Sequence, residues 1–167
     1  WVGAILSDIN KSILLISDED RVEEAITRLS RVGFDNVKGY LKGGVLSWQN
    51  AGKAIEKVNN IKSSDSYSFV ERSCNAKNKI LILDVRNDHE FNKYRFKNVT
   101  HCELSNLDSV IKTQDKEQDI LIHCAGGYRS MMAASILKKN NFKNINNLQN
   151  GIDYIFYNYQ DVPFLEG

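Results

Sequence analysis

Apolar positions along this chain fall into two spacings. Short solid runs read as buried strands, and runs with every third or fourth position apolar read as helices. Residues 12–17 (SILLIS) form a short apolar run closed by polar residues, a strand signal. Residues 18–31 follow with Val22, Ala25, Ile26 and Leu29 at helical spacing. Acids crowd the start of that helix, where the helix dipole favours negative charge. Gly33 stops it, residues 37–41 make a second short strand, and Gly43-Gly44 turns into another helix ending near Ala51.

Residues 59–65 (NNIKSSD) are polar and read as a linker. Beyond them the same alternation returns. Residues 79–85 (KILILDV) predict a strongly apolar strand, 89–94 a helix and 104–112 another short helix. A strand follows at 119–123, a helix at 130–140, a weak strand at 144–148 and a C-terminal helix at 151–159. Strands alternating with helices indicate an α/β protein with a parallel sheet. The expected organisation is a first unit over residues 1–58, a linker at 59–65 and a second unit over 66–167.

The two halves also match each other. ILLIS-DEDRVEEAITRLSRVGFDNVKGYLKGG lies over ILIHC-AGGYRSMMAASILKKNNFKNINNLQNG. Ser17 falls opposite Cys124, Phe34 opposite Phe142 and Gly44 opposite Gly151, with two single-residue gaps, one of them in the loop between strand and helix. The match indicates two copies of one unit, the first lacking its own front half.

Composition narrows the classes. The chain has 167 residues, 42% hydrophobic and 26% charged, enough apolar material for a packed core. Net charge is +1 and the basic residues are dispersed, which argues against a nucleic-acid surface or a basic membrane-binding stripe. No apolar run approaches the length of a membrane span, and the start carries no signal-peptide pattern. Cys74, Cys102 and Cys124 are odd in number and form no CxxC knuckle, so free thiols in a reducing, cytoplasmic compartment are expected. The chain opens at Trp1 without an initiator Met and is immediately apolar, which reads as a piece of something longer.

One strand end carries chemistry. In an open parallel sheet, ligands bind where strands end and helices begin. Cys124 sits at such an edge, followed by Ala125, Gly126, Gly127, Tyr128 and Arg129 before the helix. Backbone amides of that loop can curl inward into an anion-binding nest, aided by the helix dipole. Glycines permit the curl. The same field favours a thiolate, the nucleophilic form of cysteine, so Cys124 is expected to be ionised and exposed. Arg129 adds a permanent positive charge for an anionic substrate. The competing reading of Cys124 is a buried structural cysteine in a glycine-rich turn. His123 should point to the opposite face of the strand from Cys124, and His89 and His101 read as surface residues. Cys74 and Cys102 lack the glycine-rich setting.

IHCAGGYRS, preceded by LILDVRNDHEFNKYRFKNV and followed by LQNG, resembles the rhodanese (thiosulfate sulfurtransferase-like) domain over residues 66–160. The resemblance implies a rhodanese-like parallel sheet with helices on both faces, preceded here by a partial copy. It implies a sulfurtransferase in which Cys124 takes sulfane sulfur from a small donor, holds it as a persulfide and passes it to a thiol or cyanide. Residues 125–129 would cradle the sulfur, with Asp84 and Arg86 in supporting roles. The chain departs from the family's frequent G-H-I-P-G-A stretch: Tyr94 replaces a glycine and Arg95 the histidine.

Residues 1–53 resemble the middle of longer fusions, in which a metallo-β-lactamase-fold persulfide dioxygenase domain precedes an inactive and an active rhodanese-like domain. That implies an upstream iron-bearing partner domain in the parent chain, and no metal or cofactor in this one. The first copy is expected to be inert, because Ser17 stands at the cysteine position and Asp18, Glu19 and Asp20 would repel anions. As half a unit it would leave a sheet edge and an apolar face uncovered, so association is expected, a homo-oligomer included. Two other functions compete. Cysteine-dependent phosphatases and arsenate reductases use H-C-x5-R, whereas four residues separate Cys124 from Arg129, a bowl suited to one sulfur rather than a tetrahedral oxyanion. A non-catalytic binding or regulatory module is the third reading.

Overall fold

The computed structural model describes all residues except 1, 75–79, 160–162 and 164. The expected strand start at Lys79 and the apolar opening at Trp1 lie outside the described residues. The chain divides into two compact units, Trp1–Lys57 and Val58–Gly167.

The first unit holds α1 (Val2–Ile5), β1 (Ile13–Leu15), α2 (Val22–Ser30), β2 (Val37–Tyr40) and α3 (Gly44–Asn50). The helix expected from residue 18 opens instead as a 3-10 turn, Glu19–Arg21, and becomes α-helical at Val22, the first buried position. β1 and β2 pair in parallel as a two-stranded sheet. Gly33, at φ +87°, reverses the chain after α2, and the Phe34 amide donates to the Leu29 carbonyl at 3.0 Å. Phe34 is thereby buried. Two strands cover little else: Leu14 is 76% exposed and Ile16, Leu46 and Trp48 are exposed too. Leu14, Ile16, Tyr40, Val45, Trp48 and Ile55 line an apolar groove of about 810 Å³.

The second unit is built on five parallel strands in the order β3-β8-β7-β4-β6. These are β3 (Asn59–Ile61), β4 (Leu81–Asp84), β6 (Val99–His101), β7 (Ile120–His123) and β8 (Ile145–Leu148). Its helices are α4 (Ser66–Ser73), α5 (Asp88–Lys93), α6 (Asp108–Thr113), α7 (Tyr128–Lys139) and α8 (Gly151–Asn158). A two-residue antiparallel ribbon, β5 (Arg95–Phe96) with β9 (Leu165–Glu166), completes it. Every residue of β4 and β7 is buried, as a parallel sheet covered on both faces requires.

Alternation divides those strands between two apolar layers. Leu81, Leu83, Ile120, Ile122 and Cys124 pack with Val110 of α6 and Ala133, Ala134 and Leu137 of α7. Ile82 and Leu121 pack on the other face with Val70 of α4 and Ile152 and Ile155 of α8. Each fully buried Leu or Ile contributes roughly 1.5–3 kcal/mol of transfer free energy, so these layers fix where β7 ends.

Residues 59–65 are not a linker. β3 is an edge strand of the main sheet, in register with β8, and Ser63–Asp65 is a 3-10 turn leading into α4. Backbone pairing is reinforced by side-chain amides. Asn59 Nδ2 donates to Asn146 Oδ1 at 2.7 Å, and Asn147 Nδ2 donates to Asn60 Oδ1 at 2.9 Å. Asparagine has poor intrinsic strand propensity, but here cross-strand pairing decides the outcome.

Candidate active site

β7 runs out at His123, and its register with β4 sets Asp84 beside it. From there the chain turns through residues 124–127 into α7. Two contacts hold that turn from outside. The Ile152 amide donates to the Cys124 carbonyl at 2.9 Å and the Asp153 amide donates to the Ala125 carbonyl at 3.2 Å. The start of α8 thus grips the first two carbonyls of the loop. Such close approach requires Gly151: a Cβ there would lie 1.9 Å from the Ala125 carbonyl oxygen, at a φ of +67°. Gly127, at φ +94°, is the residue from which α7 begins.

This curl brings the Gly127 amide onto Cys124, donating to Sγ at 3.1 Å. An N–H aimed at sulfur from a helix N-terminus favours negative charge there. Ser130 Oγ lies 3.6 Å from the same sulfur and 3.0 Å from the Gly127 carbonyl, to which it donates. Cys124 itself is not exposed as expected: only 1% of it reaches solvent, because loop, α7 and core enclose it. Gly126 and Tyr128 form the open rim, Tyr128 being 71% exposed.

Arg129 differs from expectation too. Its Nη1 and Nη2 donate to the two carboxylate oxygens of Glu90, at 2.6 and 2.5 Å. The Arg129 hydrogen bonds hold the Glu90 carboxyl below its ordinary range, and Glu90 in turn raises the guanidinium. Glu90 is fixed by a capping box, its amide donating to Asn87 Oδ1 and its carboxylate accepting from the Asn87 amide. Arg129 therefore clamps the loop to α5.

Asp84 and Arg86 form a buried pair below the site. Arg86 Nη2 donates to Asp84 Oδ2 at 2.7 Å and to the Tyr94 carbonyl at 2.6 Å. Burial raises the Asp84 carboxyl, but His123 and the Arg86 hydrogen bonds outweigh it and hold it below the usual carboxylate range. Tyr94, where the resembled family has glycine, stacks on Phe156 and donates from Oη to Asp153 at 2.7 Å. Burial and Asp153 push its phenol well above the usual range.

His123 packs edge-on against Phe96, in the layer opposite Cys124. Burial pushes its imidazole down to about 4. His101, expected on the surface, is half-buried: its ring stacks on Phe91 and its Nε2 lies 2.8 Å from the Arg86 carbonyl oxygen. His89 is exposed. Cys102 is buried against Ser109 and the Asn106 carbonyl, and Cys74 is exposed, with Asn98 Nδ2 at 2.7 Å. Among the described residues, no His, Cys, Asp and Glu side chains group to hold a metal ion, and no helix is long and apolar enough to cross a membrane.

Three residues of this constellation escape sequence reasoning. Glu90 lies unassigned within the expected helix 89–94, Gly151 is marked only as the counterpart of Gly44, and Ser130 only as the start of a helix.

Residues 69–156 match the model of the rhodanese-like domain. A putative sulfur carrier protein of Bacillus subtilis is 30% identical over 111 residues, 66% of this chain and 56% of that protein. A tRNA uridine(34) hydroxylase of Protochlamydia amoebophila is 35% identical over 80 residues, 43% of this chain and 25% of that one. A thiosulfate sulfurtransferase of Coxiella burnetii is 29% identical over 77 residues, 46% of this chain and 72% of that one. The chain thus spans about half, or less, of the length of the first two. The crystal structure of a rhodanese-related protein from Thermoplasma volcanium superimposes with a TM-score of 0.51 at 24% identity, over 60% of this chain and 94% of that one. With its parallel sheet flanked by helices and a family match over more than half its length, this chain belongs to the rhodanese-like domain family.

Proposed function

We propose that this chain is a sulfurtransferase that carries sulfane sulfur as a persulfide on Cys124. The observation that carries the reading is the Gly127 amide, aimed at Cys124 Sγ from a loop only four residues long before Arg129. In the first step the Cys124 thiolate attacks the outer sulfur of a small donor R–S–SH. The donor's S–S bond breaks, R–S⁻ leaves, and Cys124–S–SH forms. In the second, an acceptor thiolate attacks that outer sulfur, giving the acceptor's persulfide and restoring the Cys124 thiolate. Loop amides from residues 125–129 meet the charge on sulfur, because first-turn amides of a helix have no acceptor within the helix. Asp84 and Arg86 support the strand end from below.

The donor we favour is a low-molecular-weight persulfide rather than thiosulfate. Arg129 pairs with the Glu90 carboxylate, and Arg86 with the Asp84 carboxylate and the Tyr94 carbonyl, so the bowl holds sulfur by amides more than by charge pairing. Residues 1–57 we read as a truncated, inactive copy of the same unit. Its β1-α2-β2-α3 order and parallel pairing support this. So does the turn before α3, where Gly43 and Gly44 repeat the left-handed pair Asn150 and Gly151.

Purified protein assayed with a persulfide donor and a thiol acceptor, with thiosulfate and cyanide, and with p-nitrophenyl phosphate tests the assignment. Sulfur transfer that disappears in Cys124→Ser is expected, with no phosphate release. Phosphatase activity, or sulfur transfer unchanged in Cys124→Ser, would overturn it.

A further inference from the structure

The side chain closest in hydrogen-bonding terms to the reacting sulfur is one that the sequence did not mark. Ser130 is fully buried, so no water substitutes for its hydroxyl. Its Oγ lies within reach of two partners, Cys124 Sγ at 3.6 Å and the Gly127 carbonyl at 3.0 Å. The Gly127 carbonyl also accepts from the Met131 amide, at 3.3 Å. The hydroxyl can therefore turn away from that carbonyl without leaving it unsatisfied, which is the condition for a rotor in a dry site.

We infer that Ser130 is a catalytic residue whose hydroxyl reverses its hydrogen bond as Cys124 changes charge. With a neutral Cys124, the thiol donates to Ser130 Oγ and the hydroxyl donates to the Gly127 carbonyl. When the thiol loses its proton, the hydroxyl rotates and donates to Sγ, joining the Gly127 amide. Formation of the persulfide moves negative charge to the outer sulfur, and the hydroxyl returns to the carbonyl. Ser130 thus stabilises free Cys124 thiolate over its persulfide, and so assists Cys124 as the leaving group when sulfur is handed on. A donor to a thiolate also lowers its nucleophilicity, so loading gains nothing from Ser130 once the thiol is fully ionised.

The discharge part of this inference rests on the persulfide reading; the ionisation part does not. The test compares Ser130→Ala with Ser130→Thr, which keeps the hydroxyl. Thiolate absorbance lost on Cys124→Ser in each background is followed against pH. Ser130→Ala should move the midpoint up by roughly one pH unit, the scale of one hydrogen bond to a charged group, and Ser130→Thr should restore it. At a pH above both midpoints, Ser130→Ala should slow discharge to a thiol by roughly three- to tenfold while loading is unchanged or faster. Should the alanine chain fail to fold, Ser130→Cys, a weaker donor of similar size, should give an upward shift of its own. An unchanged midpoint in a folded Ser130→Ala chain, or loading and discharge slowed alike, overturns the inference. A shifted midpoint with no sulfur uptake would leave Ser130's role standing and remove the sulfurtransferase reading instead.

Discussion

Two strand-to-helix turns in this chain share a backbone plan and differ in what they hold. After β8, the Asn150–Gly151 pair sits at φ +64° and +67°, and the Ile152 and Asp153 amides that follow grip the carbonyls of Cys124 and Ala125. After β2, the Gly43–Gly44 pair sits at φ +72° and +58°, but the Gly43 amide donates to the carboxylate of Glu19 at 3.1 Å. Ser17 Oγ, at the cysteine position, donates to the Asp18 carbonyl. Even the helix exits agree: the Phe34 and Phe142 amides donate to the carbonyls of Leu29 and Leu137, each five residues earlier. The frame therefore does not make the chemistry. A loop of small residues leaves an amide for sulfur, whereas a loop of acids satisfies a frame amide with its own anion.

Several changes would break or sharpen that comparison. Gly151→Ala should have the largest effect, because its Cβ would overlap the Ala125 carbonyl. A loss of about 3 kcal/mol or more is expected, against about 1 kcal/mol for Gly44→Ala, where the left-handed φ is strained but nothing lies within 4 Å. Urea denaturation of both variants measures this, and equal losses would refute the close-approach argument.

Acid should discriminate next. His123 is held neutral in the fold with its pKa lowered to about 4 from 6.5. The unfolded chain binds this proton more readily, so stability is full above about pH 6.5 and is lost as pH falls towards 4. Asp84, also lowered, adds to the loss at still lower pH. Between pH 7 and 5 the second unit should lose roughly 2 kcal/mol, and His123→Phe should flatten that slope. A slope unchanged by the substitution would show that another group titrates.

Importing one acid into the working loop comes third. A Cβ on Gly126 meets nothing within 4 Å, so Gly126→Asp should fold normally yet slow sulfur loading about tenfold through repulsion of a thiolate and an anionic donor. Normal loading kinetics in this variant would argue that an acid beside the strand end does not hinder sulfur loading. The smallest effects belong to the arginines. Arg129→Ala breaks a partly buried bidentate pair, with side chains 13% and 27% exposed, and should cost about 1–2 kcal/mol. Arg21→Ala loses only an exposed pair with Glu24, 64% and 43% exposed, and should shift thermal stability by less than about 0.5 kcal/mol.

What could be read in advance follows from what carries signal locally. Solid apolar runs announce strands buried on both faces, so β4, β7 and the parallel α/β architecture were legible. β3 was not, because Asn59 and Asn60 become strand residues only through partners 87 positions away. The helix α4 was hidden by a polar, serine-rich run whose buried positions are only Ser66 and Val70. At the site, the Cys–Gly–Gly–Arg spacing pointed to a curled anion-binding loop. Burial of Cys124 and commitment of Arg129 to Glu90 were not legible, since the first depends on α7 and the core packing around the loop and the second on a carboxylate of α5, 39 positions away.

The central claim is that Cys124 holds transferable sulfur. Intact-mass measurement after incubation with a low-molecular-weight persulfide tests it most directly. The account predicts a gain of one sulfur atom that a thiol acceptor removes and that Cys124→Ser abolishes. A chain that gains no sulfur, or that gains it equally in Cys124→Ser, would contradict it.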